Sequence, residues 1–129
     1  MPKFIFNKLV RDKLPELYES IHQKITVRAL SSGEYSAELC TKLVEEAREL
    51  SAAHSKDAVI NELADIYQVA EDLMVHYNIE KAQVDKIKTN KKADKGSFSE
   101  GVFVETIELA ENDKWVDYYR RNPKKYPEI

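Results

Sequence analysis

The sequence predicts an all-α fold, and three features lead to that expectation. Glycine and proline are scarce, at 3 and 4 of 129 residues, so the chain is divided into long uninterrupted blocks. Two of those blocks carry apolar residues at helical spacing. Only a few residues join them, which favours an antiparallel helical hairpin whose facing sides share a core.

Taken in order, Asn7 to about Ser20 reads as a short helix broken or kinked near Pro15. Lys24 to Leu30 (KITVRAL) has the β-branched alternation of a brief extended segment, at most an edge ribbon. Ser31, Ser32 and Gly33 supply a turn with capping residues. From Glu34 to about Ala53 the residues Leu39, Cys40, Leu43, Ala47 and Leu50 recur at helical spacing. After His54, Ser55 and Lys56 the pattern resumes from Asp57 to about Tyr77, through Val59, Ile60, Leu63, Ile66, Val69, Ala70, Leu73 and Met74. A third helix is expected from about Glu80 to Asp94, ending before Gly96. Val102 to Leu109 (VFVETIEL) suits a strand or a helix start, and Asn112 to Arg121 a last helix stopped by Pro123. No internal repeat or heptad array occurs.

At 14.9 kDa the chain is expected to form one domain, residues 1–129. Its 43% hydrophobic and 33% charged residues describe a globular protein with exposed amphipathic helices. A net charge of -3 and a pI near 5.7 argue against general binding of nucleic acid. A single cysteine, Cys40, allows no internal disulfide and reads as a small buried hydrophobe. No stretch approaches the ~20 apolar residues of a membrane span or forms a signal-peptide core, so a cytoplasmic protein with no membrane partner is expected.

The chemistry-bearing feature is a set of acids. Glu45, Glu46 and Glu49 lie on the first hairpin helix, and Glu62 and Asp65 on the second, after twelve intervening residues. Residues three apart share a helix face, so Glu46 with Glu49 and Glu62 with Asp65 can present a four-carboxylate cup across the hairpin. At about 100° per residue, Glu62 falls within about 60° of Val59, Ile66, Val69, Leu73 and Tyr77, in the middle of the apolar stripe. Asp65 lies at the edge of that stripe, Glu46 borders Leu39, Leu43 and Leu50, and Glu49 sits farther toward solvent. An inward carboxylate without a partner is costly, and a cation relieves that cost. All-oxygen donors suit Mg²⁺, with Mn²⁺ as a substitute; the absence of any Glu-x-x-His pair argues against di-iron, and one cysteine makes no zinc set. The plain alternative is a solvated acidic face.

Glu45-Glu46-Ala47-Arg48-Glu49 and Glu62-Leu63-Ala64-Asp65 resemble the EExxE and ExxD signature of the MazG-like and phosphoribosyl-ATP pyrophosphohydrolase-like superfamily of all-α nucleoside triphosphate pyrophosphohydrolases. The opening Asn7 to Pro15 is similar to the NKLVRDKIP start of one branch, and Lys92 to Phe98 to its KxxRGGF segment, with Leu14, Lys95 and Ser97 departing from the pattern. The resemblance implies Mg²⁺-dependent hydrolysis between the α and β phosphates of a nucleotide, releasing pyrophosphate. It implies Glu46, Glu49, Glu62 and Asp65 as metal ligands and Glu45 as an outer ligand or water-orienting base, which makes Glu45 and Glu46 the catalytic candidates.

Phosphate charge calls for cations. Lys88, Lys91, Lys92 and Lys95 recur on one face of the third helix, and Arg11 stands in the opening motif. These five are the candidate substrate-binding residues, against a solvated basic face for the lysines and a structural ion pair for Arg11. Tyr67, Tyr77, Phe98, Trp115 and Tyr118 are candidates for base stacking, more often core or interface in role. His22, His54 and His76 show no ligand spacing. Because one hairpin gives one wall of a bundle, a four-helix-like core completed in a homodimer or higher homo-oligomer is expected. Two alternatives stand beside the hydrolase: a phosphoribosyl-ATP pyrophosphohydrolase, and a non-catalytic helical binding or regulatory module.

Overall fold

The computed structural model describes residues 1–129 as five helices with no strand: α1 (Leu14–Ser20), α2 (Ser32–Ser51), α3 (Lys56–His76), α4 (Lys81–Lys95) and α5 (Val116–Arg120). The chain divides into two compact units, residues 1–91 and 92–129. No helix is long and apolar enough to cross a membrane.

In the first unit, α2 and α3 pack against each other as the expected hairpin. Both helices begin on a serine. Ser31 closes a capping box at α2: its hydroxyl accepts from the Glu34 N–H at 3.2 Å, and its own N–H donates to Glu34 Oε1 at 3.2 Å. Arg28, 2.9 Å from the same Glu34 carboxylate, is the main reason this acid is held at a pKa of about 2. At α3 the Ser55 hydroxyl accepts from the Ala58 N–H at 3.1 Å. Between the helices only Leu39, 2% exposed, and Val69, 7% exposed, are fully buried apolar residues.

Helix α3 is apolar on two sides. Val59, Ile66, Val69 and Leu73, which are half-buried or buried, form one stripe. Ile60, Leu63 and Tyr67, recurring at i, i+3 and i+7, form a second that stays 54%, 40% and 70% exposed.

Several local expectations are corrected. Residues 7–13 are not helical; Asn7 has φ 46° and α1 begins at Leu14, with Pro15 in its first turn. Proline disfavours helical geometry in the residue before it yet fits a helix start, so here it opens the helix instead of kinking it. The segment 24–30 forms no strand, because no neighbouring segment pairs with its backbone groups. Residues 102–109 are neither strand nor helix, and the last helix shrinks to five residues. Cys40 is exposed, not buried.

Helix α4 is exposed along its whole length and ends, as the sequence indicates, at Gly96, whose φ of 83° suits glycine and whose N–H donates to the Lys92 carbonyl at 2.9 Å. In the second unit, rings gather around α5. Trp115 meets Tyr118 edge-on at 5.5 Å, and Tyr119 meets Tyr126 at 4.8 Å. Arg120 clasps Glu128 at 2.8 Å.

With so few buried side chains, the hairpin should depend heavily on each. Leu39→Ala is expected to cost about 2–3 kcal/mol in urea unfolding, against about 1 kcal/mol for Ser31→Ala. Equal costs for the two variants would mean that the interior between α2 and α3 is not what holds the unit together.

Candidate metal centre

The structure brings Glu46 and Glu49 of α2 together with Glu62 of α3. One carboxylate oxygen from each lies within 4.8 Å of the other two. One helical turn separates Glu46 from Glu49, and the hairpin supplies the third acid from the facing helix. Oxygens bound to one Mg²⁺ at 2.0–2.1 Å span about 4 Å across the ion, so three donors on this scale suit a hard divalent cation after a small side-chain adjustment.

Burial distinguishes this group from a solvated acidic face. Glu46 is 4% exposed, the one fully buried charged residue of the chain. Its Oε1 meets Lys42 Nζ at 3.3 Å, but its Oε2 and the Oε2 of Glu62 are buried with no hydrogen-bond partner. Such orphaned acceptors are costly in a folded protein, and a cation between them would satisfy both. The residues therefore fit Mg²⁺ or Mn²⁺. Glu49, at the exposed rim, is pushed up to about pKa 7, first by the adjoining Glu46 carboxylate, which favours a proton that the two can share, then by burial and by the charges of Glu46 and Glu62. A raised pKa is the response expected of converging carboxylates that have no cation between them.

Glu45 and Asp65 are not among the three. Glu45 is half-buried and engaged by Lys8 Nζ at 2.8 Å and by Lys42 Nζ at 3.6 Å, and its pKa is lowered chiefly by the Lys8 hydrogen bond. Asp65 accepts from Arg11 Nη2 at 2.6 Å. Arg11, a candidate for substrate phosphate, is thus paired with an acid of α3. Lys88, Lys91, Lys92 and Lys95 are exposed on α4, and within the first unit no ion pair joins Lys88 or Lys91 to the acids. Tyr67 and Tyr77 are exposed on and just after α3, and Phe98 is exposed in the second unit, where Trp115 and Tyr118 belong to the ring cluster. His76 packs edge-on against Tyr35 at 5.1 Å, and no histidine joins the centre.

Two cations were missed by sequence reasoning. Lys42 was legible, since it stands four residues before Glu46 on one helix face. Lys8 is 37 residues from its partner, and no local spacing announces such a contact.

Among known proteins, an uncharacterized protein of Mycolicibacterium smegmatis is 45% identical over 53 residues, which cover 41% of this chain and 54% of that protein. The chain thus spans about half the length of that relative. No family model matches the chain, and no solved structure matches it.

The raised Glu49 carboxyl sets the sign of a pH effect. A folded-state pKa above the ordinary carboxylate value means that the fold favours the protonated form. The contribution is complete at acid pH and is lost as pH rises through about 7. In EDTA, the melting temperature should fall by a few degrees between acid and alkaline buffer, and Glu49→Gln should flatten that slope. Mn²⁺ should raise the melting temperature more at pH 8 than at pH 5.5, since binding must displace the proton. A metal response independent of pH would place the ion away from Glu49.

Proposed function

We propose that this protein is a Mg²⁺-dependent nucleoside triphosphate pyrophosphohydrolase of the MazG-like kind. The observation that carries this reading is the buried, unpartnered carboxylate oxygen of Glu46 converging with Glu49 and a second orphaned acid, Glu62, across a helical hairpin. A partner-binding surface would keep its acids in water, where each is solvated; a centre for a divalent cation holds them together despite their repulsion. The acids occupy the EExxE and ExxD positions through which the chain resembles that superfamily.

Glu46, Glu49 and Glu62 would hold the ion, with Asp65 joining when Arg11 releases it. The bound Mg²⁺ would neutralise polyphosphate charge, stabilise the leaving pyrophosphate and favour attack by water at the α phosphate. Within the chain itself, Glu45 is suited to orient that water. Its carboxylate is kept ionised by Lys8, and it stands next in sequence to Glu46. Lys42 balances part of the charge that Glu46 brings into the interior.

The active form is proposed to be a homodimer or higher homo-oligomer in the cytoplasm. The second apolar stripe of α3, Ile60, Leu63 and Tyr67, has the character of a helix meant to pack on two sides. A second copy of the hairpin would cover it and complete a four-helix core. Sedimentation at micromolar concentration is expected to give at least twice 14.9 kDa, and Leu63→Lys to return the mass of a monomer; a wild-type monomer overturns the dimeric core.

Pyrophosphate release from a panel of ribo- and deoxynucleoside triphosphates and phosphoribosyl-ATP, with and without Mg²⁺, tests the reaction and names its substrate. Wild type should require the metal, and Glu62→Gln should lose at least about 100-fold in rate. Turnover of phosphoribosyl-ATP alone would assign the narrower activity. No release from any nucleotide by folded protein would favour the binding or regulatory module.

A further inference from the structure

We infer that the N-terminal segment is a cationic clasp beside this centre: Lys8 and Arg11 rest on Glu45 and Asp65 and transfer to the phosphates of the nucleotide when it binds with its divalent cation. The inference rests on the pyrophosphohydrolase reading above.

The geometry gives each hairpin helix one cation. Lys8 reaches Glu45 on α2 at 2.8 Å, and Arg11 reaches Asp65 on α3 at 2.6 Å. The two cations are three residues apart in a segment without helix or strand, and both are exposed while their acceptors are half-buried. The segment is therefore tied to both helices of the hairpin, with its charges on the two acids that stand outside the converging triad.

Charge balance points to an exchange. The triad and the two flanking acids, Glu45 and Asp65, make five carboxylates, against which Lys8, Arg11 and Lys42 supply three positive charges. Acid therefore outweighs base around the hairpin even with a proton on Glu49. A nucleoside triphosphate adds more anionic oxygens than one divalent ion can balance, and the segment already holds two exposed cations against acids of both hairpin helices. Exposed ion pairs are individually weak, worth at most about 1 kcal/mol, so a chelating polyphosphate can displace them. Arg11 offers a planar fork matched to phosphate oxygens, and Lys8 a mobile point charge. Lys88 and Lys91, in the same unit, have no such tie to the acids.

A clasp makes opposite predictions for metal and nucleotide. In the double variant Lys8→Met/Arg11→Gln, Mn²⁺ followed by electron paramagnetic resonance without nucleotide should bind about fivefold tighter, because two competing cations are gone. The KM for the best nucleoside triphosphate should rise about tenfold or more, with kcat within about threefold. Arg11→Lys, which keeps the charge, should recover much of the KM and none of the gain in metal affinity. A purely structural tether would lower the melting temperature without tightening Mn²⁺, and that result, or an unchanged KM, overturns the clasp. Should the double variant not fold, Lys8→Met alone carries the same two readouts at smaller amplitude. Should wild type turn over no nucleotide, the reaction is wrong, and binding of a Mn²⁺ complex of a non-hydrolysable triphosphate decides the clasp separately: weaker binding to the double variant sustains it, and equal binding removes it.

Discussion

Packing α2 against α3 carries the Glu46 carboxylate out of water, and the features around it answer that one constraint. A buried acid must be neutralised, hydrogen-bonded or paired. Lys42 satisfies one oxygen of Glu46, the proton-prone Glu49 lies beside it, and the second oxygen is left over beside another orphan on Glu62. Charge is thus distributed in layers, from an unsatisfied interior to a rim where Lys8 and Arg11 hold Glu45 and Asp65. Stability and chemistry pull in opposite directions here, because the groups that make the hairpin interior costly are those able to concentrate a cation.

The apolar residues divide their work in a related way. One stripe of α3 closes the hairpin around Leu39 and Val69, while the other, with Ile60, Leu63 and Tyr67, is satisfied by nothing within the chain. That uncovered stripe is the feature on which the proposed oligomer rests.

Much of this was legible in the sequence, for local reasons. The bounds of α2, α3 and α4 lie within about two residues of those read from periodicity and capping, since helical spacing and serine caps are written in consecutive residues. The inward aim of Glu62 followed from its place in the apolar stripe, and the solvent side of Glu49 from the same wheel. What failed depended on distant partners. The strand expected at 24–30 needed a neighbour that the fold does not supply. Pro15 was read as a break because its effect depends on whether a helix precedes it. Cys40 sits at a helical apolar position, but the face it belongs to is uncovered. The grip of Lys8 on Glu45 bridges 37 residues and has no signature in composition or spacing.

The ring cluster of the second unit has a practical consequence. Trp115 is the chain's single tryptophan, and it lies against Tyr118 among residues 92–129, whereas most helical residues belong to α2 and α3 of the first unit. Indole emission and far-ultraviolet ellipticity therefore watch different bodies. A melt followed by both signals measures whether the two units unfold as one cooperative system, and fluorescence alone would assign to the carboxylate hairpin a transition that belongs to the C-terminal residues.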